Sequence, residues 1–307
     1  MTVKTTDFPT ALKSTLHDVF EASWKKRQDQ YSRVFDVETS FDAYEDELQI
    51  QGPDEIPVAS EGSVFERVEI ENVRSKRYTH TIYKGEVKIT REALDDIKYS
   101  KITDAVAKLA VAGFRTVERI GAAFFYNGLI GSELSPDGAA VFGSHTLGNA
   151  LPGKPTTDSN AGTGRLGATN LRAARADGRK TLDEHGSLAP YYLTQLLVGP
   201  DLEDEAYVQK GSDNKPGTTN NDDNYTGRQI KEIVVLDFLA EAPNYSDTMW
   251  FLRDPDMARN KFFWRVKPER KLIQEEASGD WLYRLYFRCS AGCSDWRGLW
   301  ASTGTTA

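Results

Sequence analysis

The sequence predicts an α+β protein in which an α/β unit interrupts a discontinuous first domain. Three observations lead there. An apolar stripe at helical spacing runs through residues 101–129. Segments of alternating apolar and polar residues flank it at 64–89 and 262–289. Between those flanks, two continuous apolar runs lie among helix and turn signals at 170–239. With 307 residues, 39% hydrophobic and 27% charged, the chain can bury more than one core, and global disorder is excluded. A net charge of −8 argues against a broad nucleic-acid-binding face, because phosphate affinity needs concentrated Lys and Arg. No stretch approaches 18 apolar residues, so no membrane span is expected, and the N-terminus lacks a basic-then-apolar signal segment.

In chain order, Leu12, Leu16, Val19, Phe20 and Trp24 form one apolar helical face that needs a partner surface, in this chain or a neighbour. The acidic, then turn-rich residues 36–63 read as an extended connector. Val64, Val68 and Ile70, then Tyr78, His80, Ile82, Val87 and Ile89, alternate with polar residues and predict a hairpin turning near Arg74–Lys76. Such a ribbon buries little by itself. It lies across a neighbouring subunit or covers its own sheet, and the residues leave both open.

The helix over 101–129 carries Ile102, Val106, Leu109, Gly113, Val117, Ile120, Phe124 and Leu129 on one stripe, with Ser100 as N-cap and Asn127 and Gly128 as the stop. At 1.5 Å per residue it is roughly 40 Å long. Residues 131–170 read mostly as loop. A helix over 170–182, a buried strand at 191–198, a short helix from Leu202 to Val208 and a buried strand at 230–239 make the α/β unit. From Asp201 to Asp256, acids outnumber Lys plus Arg by 13 to 5, predicting an acidic surface. Phe262, Trp264 and Val266 alternate, as do Trp281, Tyr283, Leu285, Phe287 and Cys289, leaving Arg284 and Arg288 on a basic face. These last strands are expected to pack on the long helix.

No constellation for chemistry accompanies this plan. Gly162, Gly164 and Gly167 spell G-x-G-x-x-G, but a dinucleotide loop needs a strand before it, and the preceding Thr156, Thr157, Asp158, Ser159 and Asn160 suggest none. His17, His80, His145 and His185 share no metal-ligand spacing and read as surface or loop histidines, His145 beside Ser144 included. The acid runs at 45–47, 201–205 and 222–223 lack calcium-loop spacing. Cys289 and Cys293 read as buried free thiols. No catalytic, cofactor or metal site is therefore assigned. Lys25, Lys26, Arg27 and Arg33 form a local basic patch for an acidic neighbour or DNA, or a plain solvated face.

The order of pieces is more specific than any one of them. The hairpin VFERVEIENVRSKRYTHTIYKGEVKITREALDD leads into the long helix; NLRAARADGRKTLDEHGSLAPYYLTQLLVGPDLEDEA, KEIVVLDFLAEAPNYSDTMWFLRDP and CSAGCSDWRGLW follow. Over roughly residues 10–303 the sequence resembles the major capsid proteins of tailed bacteriophages, in particular the Mu-like major head subunit group. Leu196 through Ala206, and Asp295, Trp296, Arg297 and Gly298, carry much of the likeness. The resemblance implies the Hong Kong 97-type fold: an N-terminal arm over 1–50, an extended-loop hairpin over 51–90, a peripheral domain with a long spine helix over 91–145 and 251–307, and an inserted axial domain over 146–250.

It further implies a shell subunit, not an enzyme, that self-assembles into pentamers and hexamers around double-stranded DNA. No cofactor is implied. Partners would be a separate scaffolding protein, a portal and a decoration protein. A fused scaffolding segment is not expected, and neither is a Lys–Asn crosslink through Lys76 or Lys84. Trp24, Val68, Tyr78, Ile82 and Lys84 are the expected intersubunit contacts. Lys25, Lys26, Arg27, Arg33, Arg284 and Arg288 are the expected DNA-facing groups. The competing reading is an enzyme or ligand-binding protein with its site in the 170–250 unit.

Overall fold

A computed structural model of the chain describes all residues except 1–7, 54, 57, 66–70, 97–98, 215–222, 244 and 307. Elements follow in the order α1 (Phe8–Lys25), α2 (Tyr31–Val34), β1 (Asp36–Thr39), β2 (Tyr44–Gln51), β3 (Glu71–Thr79), β4 (Thr81–Ile89), α3 (Arg91–Asp95) and α4 (Tyr99–Ile130). Then come β5 (Ser144–Thr146), β6 (Thr157–Ser159), β7 (Ala161–Gly164), α5 (Ala168–Lys180), β8 (Gln195–Val198), α6 (Glu203–Gly211), α7 (Tyr225–Arg228) and β9 (Glu232–Val235). The chain closes with β10 (Trp250–Arg253), β11 (Asn260–Gln274), β12 (Trp281–Cys293) and β13 (Leu299–Thr306).

The predicted long helix is α4, 32 residues. It runs past the expected stop to Ile130 and ends at Gly131, whose φ of 81° takes the left-handed turn that a side chain would oppose. Ile102, Val106, Gly113, Val117 and Phe124 are buried on its stripe, while Leu109, Ile120 and Leu129 are half-buried at its margin. That stripe lies on β4 and β12, and the apolar face of α1 docks beside it. Leu12, Leu16 and Phe20 of α1 are buried in the same core, so its partner surface is in its own chain.

Two sheets organise the rest. The first has the order β1-β11-β12-β4. The second has the order β7-β13-β10-β8-β9. The alternation read for β12 holds: Tyr283, Leu285, Phe287 and Cys289 face the core and are buried, and Arg284 is exposed on the other face. The second sheet differs from the sequence reading in its membership. β10 and β13, from the last sixty residues, pair with β8 and with each other, so the C-terminal strand completes the sheet of the middle unit. Continuous apolar side chains on β8 and β10 bury both faces of that sheet.

The hairpin is shifted from its expected place. β2 pairs antiparallel with β3, with Gln51 opposite Glu71 and Tyr44 opposite Thr79, so residues 74–76 sit inside a strand and not at a turn. The connector read over 36–63 therefore contains two strands. β4 does not belong to the projecting ribbon at all; it is the edge strand of the first sheet, paired with β12. Short-range patterning missed this because the partner of β3 precedes it by a long loop, and β4 finds its partner near the C-terminus.

Three further expectations are corrected. A short strand, β6, does precede the glycine-rich segment, and Gly162 and Gly164 themselves lie in β7, which pairs parallel with β13. Its glycines serve packing: a Cβ on Gly162 would lie 2.6 Å from the Trp300 ring, and one on Gly164 would lie 2.5 Å from Asn170. His145 is fully buried, and His80 is nearly so. Tyr78 is 2% exposed, so it is a core residue and not an intersubunit contact.

Candidate assembly surface

The two-stranded β2–β3 ribbon is anchored at its base. Glu184, buried in the loop after α5, is the centre of that anchor. Its Oε1 accepts from Arg74 of β3 at 3.1 Å, Arg297 at 3.0 Å and the Gln49 amide of β2 at 3.3 Å. Its Oε2 accepts from the Gly148 N–H at 2.5 Å. Arg297 also bonds Asp295 at 3.1 Å and donates to the Leu182 carbonyl at 2.6 Å. A buried carboxylate is expensive unless paired and hydrogen-bonded. Here two guanidinium groups and a backbone N–H meet that need, and they tie both ribbon strands to the body. Lys76 adds a pair with Glu133 at 2.8 Å and donates to the Leu134 carbonyl at 2.6 Å. Tyr78 packs edge-on against Phe263, with ring centres 4.9 Å apart, and donates to Glu47 at 3.1 Å.

Beyond this base the ribbon leaves the body. Leu48 and Ile50 are exposed on one face of β2. In the loop that follows, Ile56, Val58, Val64 and Phe65 are exposed almost completely, Phe65 at 99%. A single exposed Leu is ordinary, but this many large apolar side chains on one projecting element mark an interaction surface.

The other residues singled out by sequence distribute unevenly. Trp24 is half-buried within its own subunit, stacked on Phe20 and edge-on to Phe114. Val68 lies outside the described residues. Ile82 is 52% exposed on the outer face of β4, and Lys84 is exposed there with its Nζ 5.9 Å from the Tyr286 ring. Lys25, Lys26 and Arg27 are exposed, Lys25 pairing with Glu21 at 3.4 Å. Arg33 is occupied by Glu232 at 2.7 Å, and Arg284 by Glu86 at 2.5 Å. Arg288 is half-buried with its Nε unpartnered among the described residues.

The chemistry-bearing groups are built into the interior. His145 faces two acceptors, the Asp137 carboxylate 2.8 Å from Nδ1 and the Asn160 Oδ1 3.3 Å from Nε2, and lies flat on Trp296, ring centres 4.1 Å apart. Burial pushes the Asp137 carboxyl up, but the bond to His145 and its charge bring it net below the ordinary range. Asn160 donates to the carbonyls of Val141 and Leu299 at 2.9 and 3.1 Å, stitching the segment after α4 to β13. His80 bridges Ser40 and Ser290 at 2.9 and 3.0 Å. Burial pushes the Cys289 thiol up to about 12, so it is held as an inert neutral group. Among the described residues no cluster of His, Cys, Asp and Glu suits a metal ion, and no helix is long and apolar enough to cross a membrane.

Sequence reasoning missed Glu184, Arg74, Asn160 and Glu118. Glu118 lies on the buried stripe of α4 and accepts from the Gln30 and Tyr31 N–H groups at 3.1 and 3.0 Å. An acid among apolar positions of a helix is a readable signal. Glu184 and Asn160, in polar surroundings of sequence, offered none.

Against this geometry, a family model described as "Phage capsid protein" matches residues 73–302. The chain belongs to that phage capsid protein family. Solved structures agree on the fold. A virus-like particle from Pyrococcus furiosus is 11% identical, with a TM-score of 0.53, covering 94% of this chain and 98% of that one. The procapsid of bacteriophage JBD30 is 13% identical, also at 0.53, covering 98% and 76%. A phage-related protein from Bordetella bronchiseptica RB50 is 10% identical at 0.52, covering 94% and 97%. No curated protein matches by sequence. The capsid family member described here therefore has the general Hong Kong 97-type architecture, reached through a sequence far from these structural relatives.

Proposed function

We propose that this capsid family member is the major head subunit of an icosahedral shell enclosing phage or prophage double-stranded DNA, within the Mu-like group. The observation that carries the reading is the β2–β3 ribbon: its base is locked by buried charge, while its far end presents large apolar side chains to solvent. A monomer gains nothing from such an element; a neighbour that buries it gains roughly 25 cal/mol per Å² of apolar surface. In this reading the ribbon is the extended loop, α4 the spine of a peripheral domain and the α5–β9 region the axial domain, with β10 and β13 shared with its sheet. Scaffolding, portal and decoration proteins are the partners, and assembly takes place in host cytoplasm before the virion forms.

Contacts with DNA in this proposal are few and unspecific. Arg33, Arg284 and Lys25 already hold acids of their own chain, leaving Lys26, Arg27 and the half-buried Arg288 of the expected basic groups without an acid partner among the described residues. Filter binding of unassembled subunit to duplex DNA near physiological salt is expected to show no tight association. Sequence-selective binding below micromolar would redirect the reading.

Size-exclusion chromatography with light scattering, followed by negative-stain images, tests the main claim. Pentamers, hexamers or closed particles are expected, alone or with scaffold. A persistent monomer that turns over a substrate in the 170–250 unit would overturn it and favour the enzyme reading.

A further inference from the structure

Arginines elsewhere in this acidic chain, such as Arg33, Arg74, Arg253 and Arg297, hold a carboxylate. Those of α5 do not: Arg172, Arg175 and Arg179 form no ion pair among the described residues. At about 100° per residue, Leu171, Ala174 and Gly178 turn inward and are buried, and the three arginines share one flank of the helix. Asp177, the helix's one acid, falls on the opposite flank, where Lys180 acts on it. Arg175 is half-buried. Its Nε donates to the Leu193 carbonyl at 3.2 Å, which fixes the guanidinium and leaves its two Nη groups without a partner among the described residues. Burial, then the charge of Arg179, hold the Arg175 pKa below its ordinary value; Tyr225 opposes them, and no carboxylate acts on it.

Two exposed rings border this flank. Tyr192, 53% exposed, has the Arg179 guanidinium over it, 5.1 Å from the ring centre. Tyr225, 61% exposed, opens α7, which packs on α5 near Arg175. Carboxylates in the neighbourhood are engaged: Asp223 pairs with Arg228, and buried Asp254 accepts the Tyr192 N–H at 2.7 Å. Arginines three and four residues apart on a helix repel one another, so the arrangement costs stability in the free subunit, and a polyanion laid along it relieves that cost.

We propose that the flank of α5 formed by Arg172, Arg175 and Arg179, with Tyr192 and Tyr225 at its border, binds the phosphate backbone of duplex DNA. This rests on the shell-subunit reading, which supplies the DNA, and assigns the contact to residues outside the basic groups expected from sequence. A guanidinium fork matches phosphate oxygens and a tyrosyl hydroxyl donates to them, so both residue types serve one ligand. From Arg172 to Arg179 the helix rises roughly 10 Å, enough to face about three phosphates of one strand at 3.4 Å of axial rise each. Every contact is to backbone, so no sequence preference follows. The net charge of −8 does not forbid such a site, because near 0.1 M salt charges more than about 10 Å away are largely screened from it. An acidic segment of a second copy is the competing anion. In the acidic run 201–205, however, Asp201 already accepts from Tyr245 at 2.9 Å and Glu205 from Gln209 at 2.5 Å.

Fluorescence anisotropy of a short labelled duplex, titrated with unassembled full-length subunit from low to physiological salt, tests it. The unsubstituted chain should bind at low salt and release the duplex as salt rises. Arg172→Gln with Arg179→Gln, both at exposed positions, removes two phosphate contacts, so the slope of log affinity against log salt should flatten by about 1.8 and low-salt affinity should fall about tenfold or more. Circular dichroism and assembly should stay as in the unsubstituted chain. Tyr192→Ser with Tyr225→Ser, which leaves every arginine in place, keeps the test open if the first variant misfolds, and it should also weaken binding. Lys26→Gln with Arg27→Gln should have the smaller effect; if it removes the binding instead, the site belongs to the end of α1 and the inference falls. Unchanged affinity and slope in the folded arginine variant, or no binding by the unsubstituted chain even at low salt, overturn the inference and leave the shell reading standing. Loss of assembly with DNA binding intact overturns it in favour of an acidic neighbouring copy. A chain that binds DNA through α5 yet never assembles keeps this flank as a DNA site and overturns the shell reading.

Discussion

Single buried carboxylates set how this subunit is held together, and the two most important act in opposite ways. Glu184 is paired on all sides, so Glu184→Ala would leave Arg74 without its carboxylate and Arg297 with Asp295 alone. Breaking one side of such a pair costs about 3–5 kcal/mol. Thermal or denaturant unfolding should show that loss, and Glu184→Gln should show less of it while raising amide exchange across β2 and β3. Glu118 is different: its partners are backbone N–H groups, and Asp29 and Asp237 stand nearby. Burial pushes its carboxyl up to about 7, against 4.5 in an unfolded chain. The folded state therefore binds the proton more tightly, so the stabilising effect is full below about 4.5 and fades as pH rises to about 7, at a cost of roughly 3 kcal/mol. Denaturation of Glu118→Gln beside the native chain should show the variant's relative stability rising between pH 5 and pH 8. A pH-independent difference would show that the site holds its charge without penalty.

At the scale of elements, α4 is defined by what crosses it. A Cβ at Gly113 would come within 2.6 Å of Leu285 and 2.8 Å of Trp24, so helix, sheet and α1 meet at a residue without a side chain. Gly113→Leu should lower stability by about 1–3 kcal/mol through overpacking, read by chemical denaturation. Val117 and Ile120 are not equivalent, although both fall on the apolar stripe. Val117 is 1% exposed and Ile120 only half-buried, so Val117→Asp should unfold the first domain whereas Ile120→Asp should be tolerated better. The ribbon needs the reverse experiment. Gln51 and Glu71 are cross-strand partners, so residues 52–70 can be replaced by Asn-Gly, the pair that closes a two-residue hairpin. Stability should be unchanged and assembly lost. A longer cut through residues 66–84 would instead remove buried Tyr78 and Tyr83, which stacks on Phe287 at 5.0 Å, and should damage the fold.

For the whole molecule, the two sheets and α4 share one hydrophobic core, running from Leu16 and Phe20 through Phe125 to Phe251 and Ala301. A smaller cluster forms around Leu171, Leu196, Trp250 and Trp300. Arg253, 3% exposed, reaches from β10 to Asn260 at 2.9 Å and Asp36 at 3.0 Å, and so ties the second sheet to the first. Such a continuous core predicts a single cooperative unfolding transition for the subunit. Calorimetry showing two separated transitions would mean that the α5–β9 region melts by itself.

The sequence alone determined the long helix, the core face of β12, the buried strands β8 and β9 and the order of pieces that resembles phage head subunits. Each is written in local periodicity, where burial of one face dictates residues two, three or four apart. It did not determine pairing. Whether β3 turned back on its predecessor or its successor, whether β13 joined the first sheet or the second, and whether His145 met solvent or the Trp296 ring depended on contacts between residues far apart in the chain. Tyr78 shows the reason most plainly: its place in an alternating ribbon looked like an exposed contact, yet the approach of Phe263 and Gly292 from strands two hundred residues away buries it. Glu184 likewise had no local pattern to mark it, because its role is to satisfy charges that only the tertiary structure brings together.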